Sequence, residues 1–190
     1  MRIALDWLVT IAVAVGFVLA FEAEVARPYQ IPSSSMEPTL HCARPAVGCK
    51  SSFSDRVLAC ELCYRFSSPE RGQVVVFHAP KAAAEKCGEG GVYVKRLIGL
   101  PGDTIREDGA GFVWVDGKRL DEPYVSTAAR SADTQFRSKA WHVPAGAYFM
   151  MGDNRGESCD SRVWGTVPRS GLVGPVVATY WPPSRLSVDS

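Results

Sequence analysis

The sequence predicts a mostly β fold, a sheet curling into a sandwich or barrel, carried behind a single N-terminal membrane helix. Three observations carry that prediction. Residues 3–21 form an apolar run of 19 in which Asp6 is the only ionised side chain. Beyond residue 28, short β-branched and aromatic runs alternate with turn residues, and helical periodicity is poor. Seventeen Gly and thirteen Pro lie without a period along 190 residues, punctuating the chain every ~8–15 residues.

The apolar run, as a helix, would span about 28 Å at ~1.5 Å per residue, close to the ~30 Å hydrocarbon core of a bilayer. Ala20 and Ala26 are small residues behind it, so a cleaved secretory signal, leaving a chain that begins near residue 21 or 27, is the competing reading. Arg2 precedes the run and Glu22 and Glu24 follow it. The positive-inside bias then puts the N-terminus in the cytoplasm and the rest of the chain on the outer face of the cell membrane, single-pass. The expected division is an anchor over residues 1–24 and an extracytoplasmic domain over residues 28–190.

Within that domain, Gln73–Phe77, Val92–Ile98, Tyr148–Met151 and Val176–Trp181 read as strands. Phe112–Val115 and Lys118–Leu120 flank Asp116-Gly117, a pair suited to the positive φ angles of a tight hairpin turn. Residues 126–140 read as an exposed loop. With 46% hydrophobic and 22% charged residues the chain is not a disordered segment. Twenty-one Lys plus Arg against twenty Asp plus Glu give a formal charge of +1, which provides no reason to expect a nucleic-acid partner.

Three islands carry candidate chemistry. The first is residues 31–40, Ile-Pro-Ser-Ser-Ser-Met-Glu-Pro-Thr-Leu. Its serines could be ordinary turn hydroxyls, or a nucleophile on a rigid turn with neighbouring hydroxyls and amides near the developing charge. The second is residues 93–103, Tyr-Val-Lys-Arg-Leu-Ile-Gly-Leu-Pro-Gly-Asp. Strand alternation sets Tyr93, Lys95 and Leu97 on one face and Val94, Arg96 and Ile98 on the other. A free Lys, with a pKa of ~10.4, is too protonated at neutral pH to act as a base. Dry surroundings can lower that by about 3–5, at about 4 kcal/mol for a drop of three. A solvated surface Lys is the plain alternative. The third is residues 150–165, Met-Met-Gly-Asp-Asn-Arg-Gly-Glu-Ser-Cys-Asp-Ser-Arg-Val-Trp-Gly. It reads either as a hydrogen-bonded loop or as a brace that orients a base through Ser158 and supports it through Asp160 and Arg162.

In this order, behind an apolar N-terminal segment, the three islands resemble bacterial type I signal peptidases, Ser/Lys-dyad serine endopeptidases. The likeness runs to about Trp181, and the run from Arg71 to Phe77 resembles the family's remaining box. The resemblance implies a signal-peptidase-like β-sheet or barrel domain. It implies Ser35 as nucleophile, Lys95 as general base and Ser33 completing the oxyanion hole with the Ser35 amide. Ser158 would then orient the lysine, with Asp160 and Arg162 as a supporting ion pair. Ile31, Pro32, Met36 and Val94 would line shallow pockets for small side chains. The implied substrates are secretory preproteins cut after Ala-x-Ala-type sequences, and the implied partner is the lipid bilayer. No cofactor or metal is required. A self-cleaving regulatory peptidase, a membrane-anchored scaffold on an inactive peptidase fold and a plain secreted β domain are the alternatives. A His-based triad would have to use His41, His78 or His142, none of which lies in an island.

Six cysteines, Cys42, Cys49, Cys60, Cys63, Cys87 and Cys159, are unusual beside this resemblance. Only Cys60-x2-Cys63 has a common zinc-ligand spacing, and outside the cytoplasm disulfides are the better default. A Cys42–Cys49 bridge is expected, Cys60–Cys63 reads as a bridge or two buried thiols, and Cys159 as a buried free thiol. Residues 41–66 are the stretch least like the family. Phe53, Phe66, Trp114 and Trp181 are candidates either for lipid contact or for the core.

Overall fold

A computed structural model of the chain describes residues 26–88 and 90–188, together with residues 7, 9–11 and 13–16. Those early residues are helical. Much of the expected membrane span, residues 3–21, falls outside the described residues, among which no helix is long and apolar enough to cross a membrane.

Among the described residues, twelve strands build two antiparallel sheets. They are β1 (Ala26–Gln30), β2 (Arg56–Cys60), β3 (Val74–His78), β4 (Val92–Gly99), β5 (Thr104–Glu107) and β6 (Val113–Val115), followed by β7 (Lys118–Arg119), β8 (Ala140–His142), β9 (Ala147–Met151), β10 (Val167–Pro168), β11 (Leu172–Trp181) and β12 (Ser187–Val188). The larger sheet runs β1-β2-β11-β3-β4-β9-β10 with β12 on β11, and the smaller runs β7-β6-β5-β8. Four short helices lie between strands: α1 (Cys63–Phe66), α2 (Lys81–Cys87), α3 (Thr127–Ala132) and α4 (Ser161–Trp164).

Side-chain alternation lets the inner strands bury apolar residues on both faces. In β3, Val76 joins one buried cluster with Ile31, Met36 and Val57, while Val75 and Phe77 join a second with Leu97, Met150 and Trp164. In β9, Tyr148 and Met150 face that second cluster. Phe149 and Met151 face a third, which packs the smaller sheet through Ile105 and Val113. β11 passes Pro175, which lacks an N–H for the ladder, and its pairing with β3 shifts register between Leu172 and Gly174.

The mostly β expectation holds, and the four expected strands and the hairpin are present within a few residues of their expected bounds. Asp116 (φ 49°) and Gly117 (φ 79°) make the turn between β6 and β7. The exposed-loop expectation for residues 126–140 holds only in part: most of these residues are exposed, but residues 127–132 form α3 and three side chains turn inward. Ser126 Oγ accepts the Ala129 N–H at 3.1 Å and caps α3, and Ala129, Asp133 and Phe136 are buried. What holds them is distant in sequence: Arg162 donates to Asp133, and Arg130 donates to Gly111 O and Glu122. The sequence does not announce strands β1, β2, β5, β8, β10 and β12, which are short and of mixed composition.

All six cysteines are paired, as Cys42–Cys49, Cys60–Cys63 and Cys87–Cys159. The expected first bridge is present, and no thiol is left for zinc. The free-thiol reading of Cys159 is wrong: its partner, Cys87, lies 72 residues away at a Cα–Cα distance of 6.2 Å, a separation that local spacing does not reveal.

Candidate active site

The first island leaves β1 as extended chain through Ser33 (φ −131°, ψ 161°) and closes into a 3₁₀ turn over Ser34–Met36. Ile31 and Met36 are driven inward with the first apolar cluster, which pins the turn from beneath. From above, the Asn154 backbone N–H donates to Ser35 O and its Nδ2 to Ser34 O, both at 3.1 Å. Ser35 is therefore buried and held through its own backbone carbonyl. Ser33 and Ser35 hydroxyls lie 3.3 Å apart.

Gly152 is required by close approach. A β-carbon there would overlap Ser35 O and Ser158 Oγ, so the first and third islands meet across a residue with no side chain.

β4 brings the second island to the same place. Val75 of β3 pairs with Lys95 and Val74 with Arg96, and alternation sends the two cations to opposite faces as expected. Lys95 is 5% exposed, with its Nζ 5.8 Å from the Tyr93 ring centroid. Arg96 donates to Asp153 Oδ1 at 2.8 Å and Oδ2 at 2.6 Å and stacks on Tyr124 at 3.9 Å.

A cavity of about 540 Å³ is lined by Ile31, Pro32, Ser33, Ser35, Met36, Val94 and Lys95 together. Seven of the ten expected site residues thus share one concavity. The other three, Ser158, Asp160 and Arg162, are buried just outside its lining. Ser158 Oγ is buried with no hydrogen-bond partner among the described residues, so the hydrogen bond to Lys95 expected of it is not made in this structure.

Asp160 caps α4 and is gripped by Arg162, whose Nε and Nη2 donate to its two oxygens at 2.8 and 2.9 Å; the Gly152 N–H adds 3.1 Å. Burial alone would raise the Asp160 carboxyl. The Arg162 guanidinium and its hydrogen bonds, with the Gly152 N–H, hold it below the ordinary carboxylate value. Arg162 also reaches Asp133 and Glu107. Burial pushes the Glu107 and Asp133 carboxyls up, and the Asp133 charge adds to the rise at Glu107. Glu107 Oε1 has no hydrogen-bond partner among the described residues.

The cavity also takes Tyr29, Gln30, Tyr93, Glu157, Cys87 and Cys159, which sequence reasoning did not select. Tyr93 shares the strand face of Lys95, Tyr29 carries no alternation signal in its short strand, and the cysteines gave only the signal of an even count. None of the three histidines lines it. His41 Nδ1 is paired with Glu37 Oε2, His78 ends β3 on an exposed position, and His142 lies in β8 of the smaller sheet.

A profile described as "Signal peptidase, peptidase S26" matches residues 4–181. The chain is 37% identical over 179 residues to a probable signal peptidase I-2 of Synechocystis, covering 94% of this chain and 74% of that one. It is 34% identical to signal peptidase I of Mycobacterium tuberculosis, covering 95% and 73%. Signal peptidase IB of Staphylococcus aureus is 32% identical, with 97% and 93% covered. A crystal structure of a signal peptidase I from Enterococcus faecalis aligns with 58% of this chain and 97% of that chain at 30% identity and a TM-score of 0.46.

Proposed function

The chain belongs to the signal peptidase family, peptidase S26, and is a serine endopeptidase; from that premise we propose that it removes signal peptides from secretory preproteins by a Ser35/Lys95 acyl-enzyme mechanism. The observation that carries this reading is the convergence of buried Ser35 and buried Lys95 on one cavity, with the Ser33 hydroxyl 3.3 Å from that of Ser35.

Lys95, as the free amine, takes the Ser35 Oγ proton while Oγ attacks the scissile carbonyl. Burial supports this, because a dry site disfavours the ammonium. Asp160 would favour the ammonium, but both its oxygens are occupied by Arg162, which offsets that field. The Ser33 hydroxyl and the Ser35 N–H receive the oxyanion. The Lys95 ammonium returns its proton to the leaving amine, and water, activated in turn by the amine, clears the acyl-enzyme. Ser158 is the hydroxyl proposed to orient the Lys95 amine once substrate is bound; here its Oγ has no hydrogen-bond partner among the described residues.

Specificity follows from sterics. Ile31, Pro32, Met36 and Val94 crowd the cavity beside Ser35, so small side chains fit at the first and third positions before the cut. Residues 1–24 serve as a single-pass anchor with the N-terminus in the cytoplasm, and residues 28–190 as the domain on the outer face, at the lipid surface. Phe53, Phe66 and Trp181 are exposed, Phe66 at 86%, and are suited to meet lipid. Trp114 is half-buried and donates Nε1 to Asp108 at 2.8 Å, which suits it to the protein instead.

The test is cleavage of an Ala-x-Ala preprotein by the full chain in detergent, with the cut site mapped by mass spectrometry. Cleavage after the second small residue, abolished in Ser35→Ala, is expected. Undiminished cleavage by Ser35→Ala would overturn the assignment.

A further inference from the structure

The third disulfide occupies an unusual place for a staple: both of its cysteines line the cavity that holds Ser35 and Lys95. Cys87 is the last residue of α2, and Cys159 stands between Ser158 and Asp160.

The two cysteines sit on two chain segments that meet at the cavity, one leading into β4 and Lys95 and the other holding Ser158. From Cys87 the chain passes through Gly88, Gly90 and Gly91 into β4, which presents Lys95 eight residues on. Glycines there give this connection wide backbone freedom. From Cys159 the chain runs back one residue to Ser158. The Ser158 hydroxyl is buried and has no hydrogen-bond partner among the described residues, so its place is set by its backbone. That backbone is anchored on one side by Glu157 N–H donating to Asn154 O at 3.0 Å. On the other side stand the disulfide and the Trp164 Nε1 bond to Cys159 O at 3.3 Å. The helix behind the bridge is firm: Ala83 is fully buried, and Lys86 Nζ donates to Val163 O at 2.9 Å.

We propose that the Cys87–Cys159 disulfide is a positioning clamp for this peptidase, fixing the Ser158 segment and the approach to β4 relative to one another and forming one wall of the substrate cavity. The inference rests on the Ser35/Lys95 reading above. With the clamp open, Ser158 and the cavity wall lose their fixed place beside Lys95, and water gains entry past α2. Turnover then falls while the fold, still carried by the two sheets, persists. The bond opens with a dithiol such as dithiothreitol. One thiolate attacks a cystine sulfur to give a mixed disulfide. Its second thiol then closes the cyclic disulfide, so two electrons and two protons pass to the cystine and two protein thiols remain.

The experiment uses the full chain in detergent and an Ala-x-Ala preprotein. Oxidised wild type and Ser35→Ala test the underlying reading alone: if wild type does not cleave, that reading fails, independently of the clamp. The clamp is tested by Cys87→Ala/Cys159→Ala and by wild type reduced stepwise, with alkylated cysteines mapped by mass spectrometry. The expected loss in kcat/KM is about 10²-fold, the cost of misplacing a reacting group by about 1 Å. The acid limb of the pH–kcat/KM profile should move to higher pH, because better hydration of Lys95 favours its ammonium. A purely structural bridge would lower the amount of folded enzyme without moving that limb. A folded double variant with the wild-type pH limb and kcat/KM overturns the proposal. If the variant does not fold, the stepwise reduction decides. Loss that tracks alkylation of Cys87 and Cys159 supports the clamp, and activity retained with both alkylated, or loss that follows Cys42/Cys49 or Cys60/Cys63 instead, overturns it.

Discussion

Gly152 separates two serines that sequence places far apart, and the consequence of filling that space can be measured. In Gly152→Ala the new methyl must displace Ser35 O or Ser158 Oγ. Overpacking of this kind costs about 1–3 kcal/mol, and a shift of Ser35 by about 1 Å should lower kcat/KM about 10²-fold. A thermal melt with a preprotein assay on the same sample checks both; an alanine variant with wild-type kcat/KM would show that the turn is not pinned there. The buried carboxyl of Glu107 makes a second prediction. Burial, with the Asp133 charge, raises it above the ordinary value, and Arg162 offsets part of the rise. Below the ordinary Glu pKa of about 4.3 folded and unfolded chains both hold the proton. As pH climbs past it the unfolded chain releases its proton first, so this group's contribution to stability is lost with rising pH. Glu107→Gln lacks that loss. Its Tm relative to wild type should therefore increase from pH 4 to neutrality, and a flat or falling difference would contradict the assignment. Ser35, Lys95 and Ser158 stand out in the sequence because each lies in a motif that resembles the family, Ser35 and Ser158 among small polar residues and Lys95 within an apolar strand. Glu107 and Asp133 do not, since a lone acid in a short strand or loop looks solvated until its partner arginine, 55 or 29 residues away, is known.

Elements differ in how far they announce themselves. β3 and β9 appear in the sequence as nearly continuous apolar or aromatic runs, β4 as such a run interrupted by Lys95 and Arg96, and the β6–β7 hairpin through Asp116-Gly117. α3 does not: its residues, Thr-Ala-Ala-Arg-Ser-Ala, have no apolar stripe wide enough for a helical period. It stands on its cap and on arginine contacts to other segments. Removing the cap in Ser126→Ala should cost about 1 kcal/mol, seen as a lower Tm in calorimetry. No change in Tm would mean that residues 126–140 behave as the solvated loop their composition suggests. The same element explains how the smaller sheet serves the site. Asp133, at the end of α3, and Glu107, at the end of β5, both receive Arg162, so a sheet remote from Ser35 braces the ion pair beside Lys95.

Taken whole, the molecule joins a sheet that supplies Ser35, Lys95 and a shallow cavity to an N-terminal segment proposed to hold it at the bilayer. The orientation is testable without activity. Protease added to right-side-out vesicles should digest residues 28–190 and leave the N-terminus protected, and digestion only in inside-out vesicles would reverse the topology. The three disulfides agree with an outer-face location, where reducing systems do not reach them. The pairing partner of Cys159 was hidden in the sequence because the contact is made by tertiary packing of α2 on α4, not by spacing. The central claim is that the Lys95 amine takes the proton from Ser35. Its most direct measurement is kcat/KM of folded Lys95→Ala on an Ala-x-Ala preprotein. The account predicts a fall of about 10²–10⁴-fold, the range for loss of a positioned base, and activity within about tenfold of wild type would contradict it.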